Sequence, residues 1–222
     1  MIRTELLAAV PTLRSPRLLL RPMGPQYFPQ VWRVLADPEL ARLTGTHHRF
    51  TEQQVRDHLA RVGTDRTRAD WAIVRKEDNS FLGEVVLDEL DEPNGSMNYR
   101  ISLRETKICG QGYGTEAGRA VVNFGLAVLG LHRISLEVFS FNERAMASYR
   151  KLGFRPEGVL REALCWEGRR YDAHLMAVLA SDLVDSPADS AVDSAVGGTA
   201  TPAPDIDTAA ATTEPVPGGT RS

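Results

Sequence analysis

Three glycines alternate over five positions in Lys107-Ile108-Cys109-Gly110-Gln111-Gly112-Tyr113-Gly114-Thr115-Glu116-Ala117. Glycine adopts backbone dihedrals that other residues avoid, and it lets a ligand come close to the main chain. A helical pattern starts directly behind the glycines, and the first amides of a helix have no carbonyl partner within it. Those amides, with the partial positive charge of the helix dipole, make a receptor for phosphate. One reading is a tight strand-to-helix turn with no ligand, but a plain turn rarely needs so many glycines, each costly in backbone entropy. A second is a dinucleotide site. Its G-x-G-x-x-G spacing fails at Thr115, although Glu137, on the next strand, lies roughly where a ribose-binding acid would stand. No Gly-Lys-Ser/Thr follows, which excludes a Walker-type loop. The third is a site for another phosphate-bearing compound.

The remaining reactive side chains form no such constellation. His47-His48 and His58 lack partners at metal-ligand spacing, His132 begins a strand and His174 lies within one. Cys109 and Cys165 make neither a disulfide framework nor a metal site. No metal is expected. Cys109 has no activating base nearby in sequence and is not read as a nucleophile. His47-His48 could line a substrate mouth, and Trp166, in a turn, could touch substrate.

The elements that must position the loop follow from pattern. Arg17-Leu18-Leu19-Leu20-Arg21 forms a strand ended by Pro22. Phe28, Val31, Trp32 and Leu35 stand at helical spacing in 27–35. Asp37-Pro38-Glu39 starts a second helix, and Thr51-Glu52-Gln53-Gln54 is a capping-box start for a third, through Val62. Strands over 70–74, 81–87 and 97–103, with turns at 77–80 and 91–95, predict an antiparallel meander. Behind the glycines a helix over 115–129 carries Ala117, Ala120, Val121, Phe124, Ala127 and Val128 as one apolar stripe, stopped at Gly130. With the strand 132–138 it makes a βαβ unit. Asn142 caps a short helix, 143–152, stopped by Gly153. Two last strands, 158–164 and 171–179, flank Glu167-Gly168-Arg169. The fold class is α+β, a mixed sheet that is antiparallel except around the glycine loop.

Composition sets the outer limits. Of 222 residues, 42% are hydrophobic and 25% charged, enough for one core of domain size. The net charge of −3 gives no bulk attraction to nucleic acid. No stretch approaches the ~20 apolar residues of a membrane span, and the opening residues 1–10 are too short for a signal peptide. Cysteine usage favours a reducing, cytoplasmic setting. From Asp185 to Ser222 six acidic residues face only Arg221, a local net of −5 with no aromatic residue. That segment is expected to be a disordered acidic tail, 185–222, behind a folded domain, 1–184.

Cys109-Gly110-Gln111-Gly112-Tyr113-Gly114-Thr115-Glu116-Ala117 resembles the acyl-CoA pyrophosphate loop of the GNAT acetyltransferases, most nearly the branch of the ribosomal-protein N-acetyltransferases RimJ and RimL. Gly112-Tyr113-Gly114 fills the core of the motif, and Cys109 stands where the wider family has Gln or Arg. About 30 residues on, Asn142-Glu143-Arg144-Ala145-Met146-Ala147-Ser148-Tyr149-Arg150-Lys151-Leu152-Gly153-Phe154 is similar to the family's second motif. The opening 17–21 and the close 168–176, with Asp172, resemble the same branch. The resemblance covers about 13–182.

The resemblance implies a GNAT-like sheet flanked by helices and an acetyl-CoA-dependent N-acetyltransferase that moves an acetyl group to a primary amine by direct attack. It implies that coenzyme A is held by Cys109, Gly110, Gln111, Gly112, Tyr113, Gly114 and Thr115. The strand residues Ile101, Ser102 and Leu103 would pair with the pantetheine arm as an added strand would. Asn142, Ala145, Tyr149 and Lys151 would add contacts from the second motif. Tyr149 would protonate the leaving thiolate. Ser148 is sometimes implicated in that branch, and a plain surface serine fits equally. The family's usual carboxylate before the loop is missing from 97–103, so Glu84 and Glu137 are the candidate bases, with water as an alternative carrier. A backbone N–H near Leu103 could hold the oxyanion. That missing carboxylate also admits a non-catalytic acyl-CoA-binding regulatory domain. The acceptor, a protein N-terminus, a lysine or a small-molecule amine, is open, and a homodimer is possible.

Overall fold

The computed structural model describes residues 2–105 and 108–184; the expected tail, 185–222, lies outside them. A turn of helix, α1 (Glu5–Ala8), and a two-residue strand, β1 (Leu13–Arg14), precede β2 (Leu18–Pro22). Neither α1 nor β1 is long enough to carry a period, so neither was expected. A 3-10 turn leads into α2 (Phe28–Leu35). α3 (Pro38–Thr44) starts under Asp37, whose carboxylate accepts from the amides of Glu39 and Leu40. α4 (Glu52–Val62) has the full capping box, with Thr51 and Gln54 each accepting from the other's backbone amide. The meander follows as β3 (Ala69–Arg75), β4 (Phe81–Asp91) and β5 (Ser96–Leu103).

The helix behind the glycines, α5 (Tyr113–Asn123), does not run on to residue 129 as an α-helix. Phe124–Leu129 is a π-helix. Its wider turn pairs residue i with i+5, which rotates the inward face: Leu126 and Leu129 are buried and Ala127 is exposed. The apolar stripe expected through Ala127 therefore breaks at Phe124. Gly130 ends the segment in the left-handed region, as expected. β6 (Arg133–Phe139), α6 (Glu143–Lys151), the long strands β7 (Arg155–Trp166) and β8 (Arg169–Leu179), and a final turn, α7 (Ala180–Val184), complete the described chain.

All eight strands join one sheet in the order β1-β2-β3-β4-β5-β6-β8-β7. Every pairing is antiparallel except β5 with β6. That parallel pairing covers only Ser96–Asn98 against Arg133–Ser135, after which the strands separate. Side chains alternate across the sheet. Trp71 and Ile73 join the core under α5 and α6, whereas Ala72 and Val74 join a second core with Phe28 and Val31 of α2 and Val55 and Leu59 of α4. The middle of the sheet, β3 and most of β4, is thus buried on both faces by helices of different origin, whereas β7 is largely exposed.

Close packing of α5 requires glycine at one interior position. A Cβ on Gly118 would stand 2.5 Å from a Leu152 methyl and 2.7 Å from the Tyr99 hydroxyl. Gly118→Val should therefore overpack the α5–α6–β5 contact and cost about 1–3 kcal/mol. Thermal denaturation should register a fall in Tm on the order of 5 °C.

Candidate active site

Where β5 and β6 part, the edge of β5 from Tyr99 to Leu103 and the facing edge of β6 from Leu136 to Phe139 have no strand partner for each other. The N-terminus of α5 sits beside this opening: a Cβ on Gly114 would touch the side chains of Leu103, at 3.6 Å, and Ile101, at 3.8 Å. Gly110 and Gly112 both take left-handed conformations, φ 85° and 83°, which turn the chain into α5. The amides of Tyr113, Gly114 and Thr115 have no carbonyl partner within the helix. The arrangement joins a strand edge able to pair with an extended amide-bearing chain to a cradle for phosphate.

The loop is pinned by a residue that sequence reasoning missed. Arg17 donates from its guanidinium to Glu116 at 2.7 Å and to the Gln111 carbonyl at 3.1 Å, and its ring partner is Tyr113, 4.4 Å away. The Arg17 amide and the Ser15 hydroxyl also donate to Glu116, at 2.8 and 2.7 Å. Burial works to raise the Glu116 carboxyl, but these donors together hold it below its usual range. The only signal was Arg17 in the opening Arg-Leu-Leu-Leu-Arg, and nothing local ties it to Glu116.

Tyr149 lies on the same face as the α5 cradle. Its ring is buried in the core, edge-on to Tyr99 at 6.0 Å and tilted against Phe154 at 5.9 Å. Burial pushes its phenol up to about 12. The Tyr99 hydroxyl is buried without a hydrogen-bond partner among the described residues, and burial, then Tyr149, raise its phenol too. Ser148 and Thr115 share a hydrogen bond at 2.8 Å that ties α6 to the first turn of α5. Asn142 does cap α6, accepting from the Ala145 amide at 3.2 Å. Lys151 is exposed in the last turn of α6, and the Cys109 thiol donates to the Glu105 carbonyl.

The candidate bases lie elsewhere. Glu84 pairs in register with Ala72 on β3 and Ser102 on β5, on the α2–α4 face, opposite Tyr149. It is half-buried, with no ion pair among the described residues, beside a cavity of about 20 Å³ lined by Val31, Val34, Leu35 and Phe81. Burial first, and Asp70 second, raise its carboxyl. Glu137 is exposed on β6, and alternation with buried Leu136 and Val138 puts it on the Glu84 side. The structure therefore brings the glycine loop, the β5 edge and Tyr149 to one side of the opening, and the two carboxylates to the other.

A family model described as the acetyltransferase (GNAT) domain matches residues 17–155. The chain belongs to the GNAT acetyltransferases. It is an N-acetyltransferase, with acetyl-CoA as co-substrate. The uncharacterized N-acetyltransferase YoaA of Bacillus subtilis is 25% identical over 76% of this chain and 97% of its own length. The probable N-acetyltransferase YjcK of the same organism is 37% identical over 70% and 82%. The spermidine N(1)-acetyltransferase of Escherichia coli is 31% identical, over 46% of this chain and 54% of its own. Among solved structures, the spermidine N-acetyltransferase of Vibrio cholerae in complex with CoA and spermine superposes with a TM-score of 0.71 at 19% identity, over 77% of this chain and all of that one. That likeness is one of fold. Among the described residues, no helix is long and apolar enough to cross a membrane, and no group of three or more His, Cys, Asp or Glu is placed to hold a metal.

If Arg17 holds the glycine loop in place, Arg17→Ala should raise the KM for acetyl-CoA roughly tenfold, about 1.4 kcal/mol, while kcat stays within about twofold. Steady-state kinetics at saturating amine would separate the two constants.

Proposed function

We propose that this protein acetylates a small-molecule primary amine, with acetyl-CoA laid along the free edge of β5 and the amine approaching from the α2–α4 face. The observation that carries this reading is the separation of β5 from β6 beside the α5 N-terminus. The motifs resemble the ribosomal-protein N-acetyltransferase branch, which would point to a protein N-terminus. The spermidine acetyltransferases among the relatives instead favour a small cationic amine. Two carboxylates with no ion pair among the described residues, Glu84 on β4 and Glu137 on β6, stand on the approach face, which suits a cationic acceptor.

In this reading, amides from Gln111 to Thr115 bind the pyrophosphate, and Ile101, Ser102 and Leu103 pair with the pantetheine arm. Cys109 and Gly110 shape the turn, and Asn142, which caps α6 through Oδ1, keeps its Nδ2 for that arm. Ala145 and Lys151 flank it on α6. Acetyl-CoA supplies an activated acyl group and a thiolate leaving group. Glu84 takes the proton from the acceptor ammonium, directly or through water, so that the neutral nitrogen can form the new C–N bond. Tyr149 gives its proton to the sulfur as the C–S bond breaks, and the second proton of the attacking nitrogen goes to the phenolate, directly or through water, which restores the phenol. Glu137 guides the ammonium electrostatically and stands as the second candidate base.

The phenol at about 12 keeps Tyr149 protonated across the working range, as an acid must be. The raised carboxyl of Glu84 makes it a better proton acceptor, deprotonated only above its elevated value. Loss of rate should therefore come on the acid side, as pH falls through the Glu84 value.

The test is thiol release from acetyl-CoA with a panel of amines, products read by mass spectrometry. Tyr149→Phe should keep acetyl-CoA binding and lower kcat by on the order of 10²–10⁴. Glu84→Gln should slow turnover and remove the acid-side fall in kcat/KM. An unchanged acid limb in Glu84→Gln would remove Glu84 from the role of base. Acetylation of peptide N-termini in preference to every small amine would favour the ribosomal-protein branch.

A further inference from the structure

Tyr99 is the first residue of β5 past the point where β5 and β6 part, and its side chain joins the core on the α5–α6 side. It is only 2% exposed, and three groups surround its ring. The Tyr149 ring stands at 86° to it, with centroids 6.0 Å apart. The Phe154 ring, just past the end of α6, is tilted against it at 5.7 Å and also meets Tyr149 at 5.9 Å, so the three rings close a triangle. The Tyr99 hydroxyl abuts α5 at Gly118, where a Cβ would lie 2.7 Å from the oxygen.

The hydroxyl is at odds with these surroundings. It is buried with no hydrogen-bond partner among the described residues, and a buried hydroxyl left unpaired is destabilising. It also requires glycine within α5, which is after proline the residue least suited to a helix interior. Phenylalanine would avoid both penalties. What tyrosine adds is length along the ring axis: the oxygen reaches α5 at Gly118 and stops the ring from sliding toward the helix. The ring is thereby fixed at one end by its own strand and at the other by α5. Perpendicular aromatic packing is directional, because the positive edge of one ring seeks the negative face of the other. A ring fixed in this way therefore constrains the ring beside it. The ring contacts of Tyr149 are with Tyr99 and Phe154.

We propose that Tyr99 is a positioning residue for Tyr149: its ring, held between β5 and Gly118 of α5, sets the orientation of the Tyr149 phenol toward the opening between β5 and β6. The proposal rests on the role of Tyr149 as acid given under Proposed function. Tyr99 touches no reacting atom and acts through the ring of Tyr149.

The experiment is a double-mutant cycle on the full-length protein, read as kcat for 1,4-diaminobutane with acetyl-CoA saturating, alongside the KM for acetyl-CoA. Tyr99→Leu, which removes the ring, should lower kcat by about tenfold to a hundredfold, the effect of a small misplacement of a catalytic group, and leave that KM within about twofold. In a Tyr149→Phe background the same change should lower kcat by no more than about twofold, because the phenol that Tyr99 positions is gone. Tyr99→Phe, which keeps the ring, should stay within about threefold of the unaltered protein. Gly118→Ala sets a methyl against the Tyr99 hydroxyl without removing a ring. It should lower kcat only where the Tyr149 phenol is present, and it serves if Tyr99→Leu does not fold. Equal losses in the two backgrounds, or no loss in either, overturn the positioning role and leave the proposed function standing. A Tyr149→Phe protein as fast as the unaltered one, or release of no thiol by the unaltered protein, overturns the proposed mechanism and this inference with it.

Discussion

The structure depends on two parallel strands that stay together for only three residues each. Past Asn98 and Ser135, β5 and β6 separate, leaving backbone donors and acceptors of β5 without a neighbour on that side. Unpaired main-chain groups in the middle of a sheet are costly unless something pairs with them. Here the elements on both faces respect the opening. α5 brings its N-terminus to the side chains of Ile101 and Leu103, and β6 is held open by β8, with which it pairs along its whole length from Arg133 to Phe139. The proposed lie of acetyl-CoA and the proposed approach of the amine both refer to this one interruption.

The opening also divides the electrostatics. On the α5–α6 side, Tyr149 sits among Tyr99, Phe154 and aliphatic side chains, and burial alone keeps its proton on. On the α2–α4 side, Glu84 is half-buried near Asp70, and both effects make its carboxylate hold a proton more readily. In the proposed reading, Tyr149 as an acid that stays protonated and Glu84 as a base of raised affinity, on opposite faces of one sheet, are the pair that amine acylation asks for. The fold supplies this division through strand alternation, because Ser102, the register partner of Glu84, faces away from Tyr99 and Ile101.

What was legible in the sequence was what is local. Asp37, Thr51 and Asn142 cap their helices within three residues, and each cap formed as its residue type foretold. The meander, its turns and the glycine loop are likewise written in contiguous residues. The π-helix was not legible, because Phe124–Leu129 fits an α-helical stripe equally well until Gly125 must pass within contact of Ile134 on β6. The Arg17–Glu116 clamp joins residues 99 apart, and the His47–Trp166 stack joins the α3–α4 connection to the β7–β8 hairpin at the far edge of the sheet. Both residues of that stack stood out in the sequence, but only the topology brings them together. Tyr149 stood out through its motif, whereas its place on the face opposite Glu84 required the register of three strands.

The measurement that bears most directly on the central claim is amide hydrogen exchange with and without acetyl-CoA. If the co-substrate lies along the free edge of β5 with its phosphates at the start of α5, protection should rise in segments covering 99–103 and 112–115. The rest of the sheet, including β2 and β3, should exchange as before. Saturable binding of acetyl-CoA that leaves 99–103 unprotected and protects another part of the chain would contradict the account.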